Sequence, residues 1–383
     1  MDRIEVQSEV YLDRLAVVDR KTLFRFLQDL QSRNLSGETL LNYAKEITRF
    51  QRWSGKPLTR TSADDLKEYI RHSLNEGRTS YSVRTSTVIL KQFFGKWMGK
   101  REIKELKLPK ANRPLPKPLD ENEIFSIVKA GETPYEKAVT AVLYEGGLRV
   151  GELRNIKVGD VACDQYGAKI IVKGKTGERP IRLIISAPYL QAFLEHHPFK
   201  ENLEAHLFYG RSSSNGQHKP TPEHPITNTG VTLLLKRLAA EAGVNGKRIY
   251  PHLFRHSRAT ILSKDMTDRE LMTIFGWKSP AMVGVYSHLS MKDVEEKLLR
   301  LGGLKPETEK VKSPLTPKSC PRCKHVNSAT ARFCSQCSMI LDLETAVELE
   351  QARAKADRIM TQLLEDPKIQ RIIAARIGKM NLS

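Results

Sequence analysis

Apolar residues recur at three- and four-residue intervals over much of this chain, and that period predicts helices. Leu40, Tyr43, Ala44, Ile47 and Phe50 form one stripe, with Ser36 just ahead of them as a cap. Ser62 with Asp65 opens a second helix through Leu66 and Ile70. Val83, Thr87, Leu90, Phe93, Phe94 and Trp97 form a third stripe. Basic residues are interleaved with these: Arg49, Arg52, Lys67, Arg71, Arg84, Lys91 and Lys96. Residues 1–103 therefore read as a small helical bundle with one basic side and its aromatics in the core. For any single charge, a solvated face is an equal reading.

Pro109, Pro114, Pro116 and Pro118 forbid a continuous helix, so residues 104–118 read as an extended basic linker. Residues 119–302 form the largest unit. Asp120 precedes one helix (ENEIFSIVKA), and another covers 136–145 before Gly146 and Gly147 break it. Two β-rich runs, 169–172 and 181–185, flank the turn sequence KGKTGERP and predict a hairpin. Helices follow near 188–195, 231–241, 252–263, 268–275 and 291–300, while 211–225 reads as a loop by composition. Residues 303–319 are charged and contain proline, a flexible linker. A cysteine module at 320–340 and a helical tail at 341–383, broken near Asp366-Pro367, complete the chain. The expected fold is mainly α with a small β-hairpin in the largest unit, an α+β class.

Composition adds a partner to this outline. The 383 residues suit two or three domains, and 40% apolar with 28% charged residues is ordinary for a soluble globular protein. No apolar run approaches the roughly 20 residues of a membrane span. The opening MDRIEVQSEV has no apolar signal core, which points away from secretion and toward the cytoplasm, at the nucleoid. The 63 Lys and Arg against 44 Asp and Glu leave a net charge of +19. Such an excess is unfavourable without a polyanion nearby, so nucleic acid is the first partner to consider.

Three segments and the hairpin carry candidate chemistry. YEGGLRVGEL puts Arg149 between a glycine break and a new helix. HLFRHSRATIL puts His252 and Arg255 three apart, on one helical face. FGWKSPAMVGVYSHLS carries Trp277 and, nine residues later, Tyr286. VKGKTGER supplies Lys175 at the tip, with Lys173 as the alternative. Arginine, hairpin lysine, His-x-x-Arg, tryptophan and tyrosine, in that order, resemble the tyrosine recombinase (phage integrase) family, of Xer-like type. The resemblance is close over 119–302 and looser for the helical first domain and basic linker.

The resemblance implies a core-binding domain and a catalytic domain clamping double-stranded DNA as a C shape, with four protomers assembled on paired sites. It implies that Tyr286 attacks the phosphodiester to give a 3′-phosphotyrosyl intermediate and a free 5′-hydroxyl, so rejoining needs no ATP. It also implies that the hairpin lysine protonates the departing oxygen. The residue types suit the work. Arg149 and Arg255 offer permanent charge and forked donors to phosphate oxygens. His252 is the candidate general acid/base. Trp277 stands where many relatives have histidine, and either donates its indole N–H to phosphate or supports Tyr286. Leu253 departs from the family's usual acidic residue. No acidic cluster of the kind that holds paired Mg²⁺ accompanies the set, so catalysis should need no metal. Two rival readings are a non-catalytic DNA-binding protein of this fold and a type IB topoisomerase.

Cys320-Pro-Arg-Cys323 and Cys334-Ser-Gln-Cys337 present two C-x-x-C pairs, suited to tetrahedral zinc in a zinc ribbon. A redox dithiol pair and a rubredoxin-type iron centre are the other readings, with His325 a bystander. Such a ribbon is atypical of minimal chromosome-resolving relatives and tilts the reading toward a mobile element.

Overall fold

The computed structural model describes residues 17–111, 117–174, 177–214, 217–286 and 313–377, together with 295, 298–299 and 302–304. The chain forms two compact units, Met1–Leu115 and Pro116–Ser383.

The first unit is helical: α1 (Val17–Ser32), α2 (Gly37–Ser54), α3 (Ala63–Asn75), α4 (Ser80–Leu90) and the short α5 (Arg101–Lys104). The predicted stripes face inward. Ala44, Ile47, Phe50, Phe93 and Phe94 are fully buried. Their rings meet edge to face, Phe50 on Phe94 with centroids 5.4 Å apart and Phe26 on Phe93 at 4.9 Å. Ser62 and Asp65 form a complete capping box on α3. Ser36 starts α2 without such a bond; its hydroxyl meets that of Thr39 at 2.9 Å. Several of the interleaved cations are already engaged. Arg84 and Lys91 donate to the carbonyls of Pro109 and Leu106, and Arg49 and Lys67 pair with Glu46 and Asp64.

The second unit opens with α6 (Glu121–Ala130), capped by Asp120 as the sequence predicts, and α7 (Pro134–Glu145), buried from Ala138 onward. After α8 (Val150–Asn155), the strands β1 (Val161–Asp164), β2 (Gly167–Gly174) and β3 (Gly177–Leu183) form an antiparallel sheet in that order. The hairpin expectation holds, and β1 adds an edge strand. Ala168, Ile170 and Val172 alternate inward along β2 onto the core. Buried Glu145, the last residue of α7, accepts the backbone N–H groups of Ile184, Ile185 and Ser186 and so fixes the exit of the sheet. Helices α9 (Ala187–Glu195), α10 (Asn228–Glu241), α11 (Pro251–Leu262) and α12 (Asp268–Phe275) follow near their predicted places. The expected helix at 291–300 lies outside the described residues except at 295 and 298–299, which are helical.

Two expectations need correction. Residues 211–225 are not a loop: β4 (Tyr209–Ser214) pairs with β5 (Gln217–Pro225) as an antiparallel ribbon. Pro220 and Pro222 lie two apart, so their missing N–H groups fall on one edge. There the Pro222 carbonyl accepts the N–H of His206 at 3.1 Å. The end of the segment 303–319, residues 313–319, is also no free tether. Leu315 is 1% exposed and belongs to the core built by α7, the sheet and α9. The Thr330 N–H donates to the Tyr189 hydroxyl at 3.2 Å, and Lys129 on α6 pairs with Glu344 at 3.8 Å. The cysteine module, with β6 (Lys318–Ser319) and β7 (Val326–Asn327), is thus docked on the second unit. Leu315→Ala should destabilise that unit by about 2–4 kcal/mol in urea unfolding. An unchanged midpoint would place Leu315 outside the core. The tail helices α13 (Leu343–Glu365) and α14 (Pro367–Ile377) break at Asp366-Pro367 as the sequence predicts.

Candidate active site and metal centre

The site begins at the glycine break after α7. Gly147 has φ +54, and a Cβ there would lie 2.3 Å from the Phe275 ring. This turn aims the Gly147 carbonyl at Arg255, whose Nη1 donates to it at 2.6 Å. The Arg255 Nη2 donates to the Phe275 carbonyl, also at 2.6 Å. Arg255 is 1% exposed, and its guanidinium carbon lies 5.0 Å from the Phe275 ring and 5.6 Å from the Trp277 ring. Burial and the Arg149 guanidinium pull its pKa down to about 9, so it stays charged at neutral pH.

Arg149 is the N-cap of α8. Its backbone N–H and Nη1 both donate to Glu152, at 2.9 and 2.7 Å, and its side chain stays 37% exposed. Arg149 is therefore the accessible guanidinium and Arg255 the buried one. Glu152 is 2% exposed and also accepts a two-pronged pair of bonds from Arg179, 2.9 Å each. Burial pushes its carboxyl up. The bonds from the Arg179 side chain and the Arg149 backbone outweigh this and hold the pKa at about 2. A depressed carboxyl contributes stability above its unfolded pKa and loses it as pH falls through the folded one. Glu152 should thus contribute roughly 3 kcal/mol at pH 7, lost between about pH 5 and 2. The unfolding free-energy gap between wild type and Glu152→Gln should be widest at pH 7 and close toward pH 2. A gap independent of pH would contradict the assignment.

Tyr286 is 4% exposed and stacks on Trp277, with centroids 5.0 Å apart and planes 8° from parallel. Trp277 stacks in turn on Phe275 at 4.7 Å. Of the two roles open to Trp277, the packing support of Tyr286 is the one this geometry displays. His256 lies 5.2 Å from the Tyr286 ring, and His252 lies 4.6 Å beyond it. His252 is exposed on the first turn of α11, with the His256 ring between it and the Tyr286 ring. Arg149, Arg255, His252, Trp277 and Tyr286 thus gather in one place. Lys175 lies outside the described residues. The flanking strands pair down to Gly174 and Gly177. Lys173, the alternative, is half exposed and paired with Asp160 at 3.4 Å.

Sequence reasoning assigned no role to Glu152, Arg179 or His256. His256 falls one turn beyond His252, a spacing that could have revealed it. Glu152 sits three residues after Arg149, which marks a charged pair at a helix start. Nothing in the sequence sets Arg179 apart from a surface arginine.

The four cysteines come together as expected. Their sulfurs all lie within 4.8 Å of one another, with Cys320–Cys337 at 3.6 Å and Cys323–Cys334 at 3.5 Å. These separations are far longer than a disulfide and close to the ~3.8 Å of sulfurs around a tetrahedral Zn²⁺. The two turns repeat each other. Lys324 and Ser338 both take positive φ, 61 and 58, directly after the second cysteine of each pair. Backbone N–H groups of Cys320 and Cys334 donate to the carbonyls of His325 and Met339. His325 is not part of the sulfur cluster. The residues fit a metal ion.

Residues 117–293 match the family model described as "Phage integrase family", and residues 23–105 match "Phage integrase, N-terminal SAM-like domain". The chain belongs to the tyrosine recombinase (phage integrase) family. It is similar to tyrosine recombinase XerA of Pyrococcus horikoshii, 27% identical over 289 residues, covering 74% of this chain and 94% of that one. It is similar to tyrosine recombinase XerD of Yersinia pestis at 26% identity, covering 73% and 96%. Among solved structures, the Tn1549 transposon integrase in complex with transposon right end DNA superposes with a TM-score of 0.56 at 18% identity, covering 73% of this chain and 99% of that chain. At that identity the likeness is one of fold. The integrase family model ends at residue 293, so the cysteine module lies outside it in this recombinase.

Proposed function

We propose that this protein is a site-specific DNA recombinase or integrase that cuts and rejoins duplex DNA through Tyr286. The observation that carries the reading is the Tyr286–Trp277 stack beside the Arg149–Glu152–Arg255 cluster, all in one chain. Tyr286 Oη attacks phosphorus, a 3′-phosphotyrosyl ester forms, and the 5′-oxygen leaves. Arg149 and Arg255 neutralise the charge that grows on the non-bridging oxygens. His252, adjoining His256, handles the tyrosine proton, and Lys175 delivers one to the 5′-oxygen. The ester conserves the bond energy, so neither ATP nor a catalytic metal is invoked.

Residues 1–103 act as the core-binding domain, 104–118 as its basic linker and 119–302 as the catalytic domain, together clamping the duplex. Four protomers assemble on two sites, and the protein works in the cytoplasm at the nucleoid. DNA-bound relatives of this fold, including a lambda integrase tetramer on a Holliday junction, support the assembly. Selection of bound and cleaved sites from random duplex DNA tests the reading. A recurrent cleaved sequence is expected, whereas sequence-independent relaxation of supercoiled plasmid would favour a topoisomerase.

We assign zinc to Cys320, Cys323, Cys334 and Cys337, as a structural ion that folds residues 320–340. Protein purified under reducing conditions should carry one zinc per chain. The Cys320→Ser, Cys323→Ser double variant should lose it and unfold its docked module. Iron, or no metal, in the wild type would overturn the assignment.

A further inference from the structure

Glu152 and Arg179 have no task in the reaction just proposed, yet they occupy the middle of its arginine cluster. Arg179 lies on β3, with a side chain only 11% exposed. Its Nη1 and Nη2 hold both oxygens of Glu152, and its Nε donates to the Ile274 carbonyl at 2.9 Å. Arg255 takes the next carbonyl, that of Phe275. Two adjacent carbonyls at the C-terminal end of α12, where a helix is partially negative, are therefore each held by a guanidinium.

The charges decide what this arrangement does. Three guanidiniums surround one buried carboxylate, leaving the cluster net positive by two. Glu152 Oε1 already accepts from Arg149 Nη1, and Oε2 accepts the Arg149 N–H and lies 3.9 Å from Arg255 Nη1. If Arg179 were removed, the carboxylate would face Arg149 and Arg255 alone. It would halve their net charge and be drawn more fully onto their donors, in a setting with little water to screen it.

We propose that Arg179 is a positioning residue that neutralises Glu152, so that Arg149 and Arg255 keep their net charge, and the donors not taken by Glu152 and the backbone, for the scissile phosphate. The inference rests on the recombinase reading above. In support, the Arg179 side chain is the strongest of the interactions that hold Glu152 ionised against its burial.

The test is the rate of covalent adduct formation on a nicked duplex carrying a selected site, at saturating protein. Arg179→Gln should slow it by ~10–100-fold with DNA affinity nearly unchanged. Adding Glu152→Gln to that variant should recover about 10-fold, because the unneutralised carboxylate is gone. A purely structural role predicts the opposite, with the double variant slower than Arg179→Gln alone. Arg179→Lys, which keeps the charge without the fork, should fall between Arg179→Gln and wild type. Should Arg179→Gln fail to fold, the same comparison is made on Arg179→Lys with and without Glu152→Gln, and the same recovery is required. An absent wild-type adduct sinks both readings. A normal wild-type adduct with an unaffected Arg179→Gln, or a double variant no faster than the single, sinks this one alone.

Discussion

Tyr286→Phe should bind DNA like the wild type and form no covalent adduct. The substitution removes one oxygen and leaves the ring, and the ring makes the stack on Trp277 and the approach to His256. Aromatic stacking needs no hydroxyl, so the fold around α12 should be kept. The chemistry does need it, because on the proposed mechanism the hydroxyl oxygen is the attacking atom. Gel mobility on a nicked duplex separates the two properties. Retained binding with the adduct band gone is expected. An adduct of wild-type yield in the Phe variant would remove Tyr286 from the mechanism.

The second large effect separates the two arginines. Arg149→Ala and Arg255→Ala should each lower cleavage by about 100-fold or more, since each removes fixed charge facing the transition state. Only Arg255→Ala should also destabilise the protein. Arg255 is fully buried and satisfies the carbonyls of Gly147 and Phe275. Both would be left without that partner, at a cost of roughly 3 kcal/mol. Arg149 is 37% exposed, and its loss leaves Glu152 still held by Arg179, so its stability change should stay below about 1 kcal/mol. Thermal unfolding beside the adduct assay reads both. Equal destabilisation by the two variants would contradict the division between a buried and an accessible guanidinium.

How far the sequence reached depends on what each feature rests on. Helices announced themselves because their period and caps are local: Ser62 with Asp65, and Asp120 ahead of its helix, are cap signals that survive folding unchanged. The gathering of Arg149, Arg255, His252, Trp277 and Tyr286 was legible through their order along the chain, a resemblance rather than a local signal. The β4–β5 ribbon was not, because it is made by main-chain pairing in a segment whose serines and prolines read as loop. Arg179 was hidden for a related reason. Its partner Glu152 is 27 residues away, and long-range ion pairs leave no periodic trace. The docking of the cysteine module through Leu315 and Thr330 was equally silent, since one leucine in a charged linker resembles any other.

The most direct measurement is peptide mapping of the trapped protein–DNA adduct by mass spectrometry. Wild-type protein is captured on a nicked duplex carrying a selected site, digested with protease and nuclease, and searched for a nucleotide-modified peptide. The account predicts a single modified peptide with the phosphodiester remnant on Tyr286, attached through the DNA 3′ end. A remnant on any other side chain, attachment at the 5′ end, or DNA cleavage with no covalent peptide would contradict it.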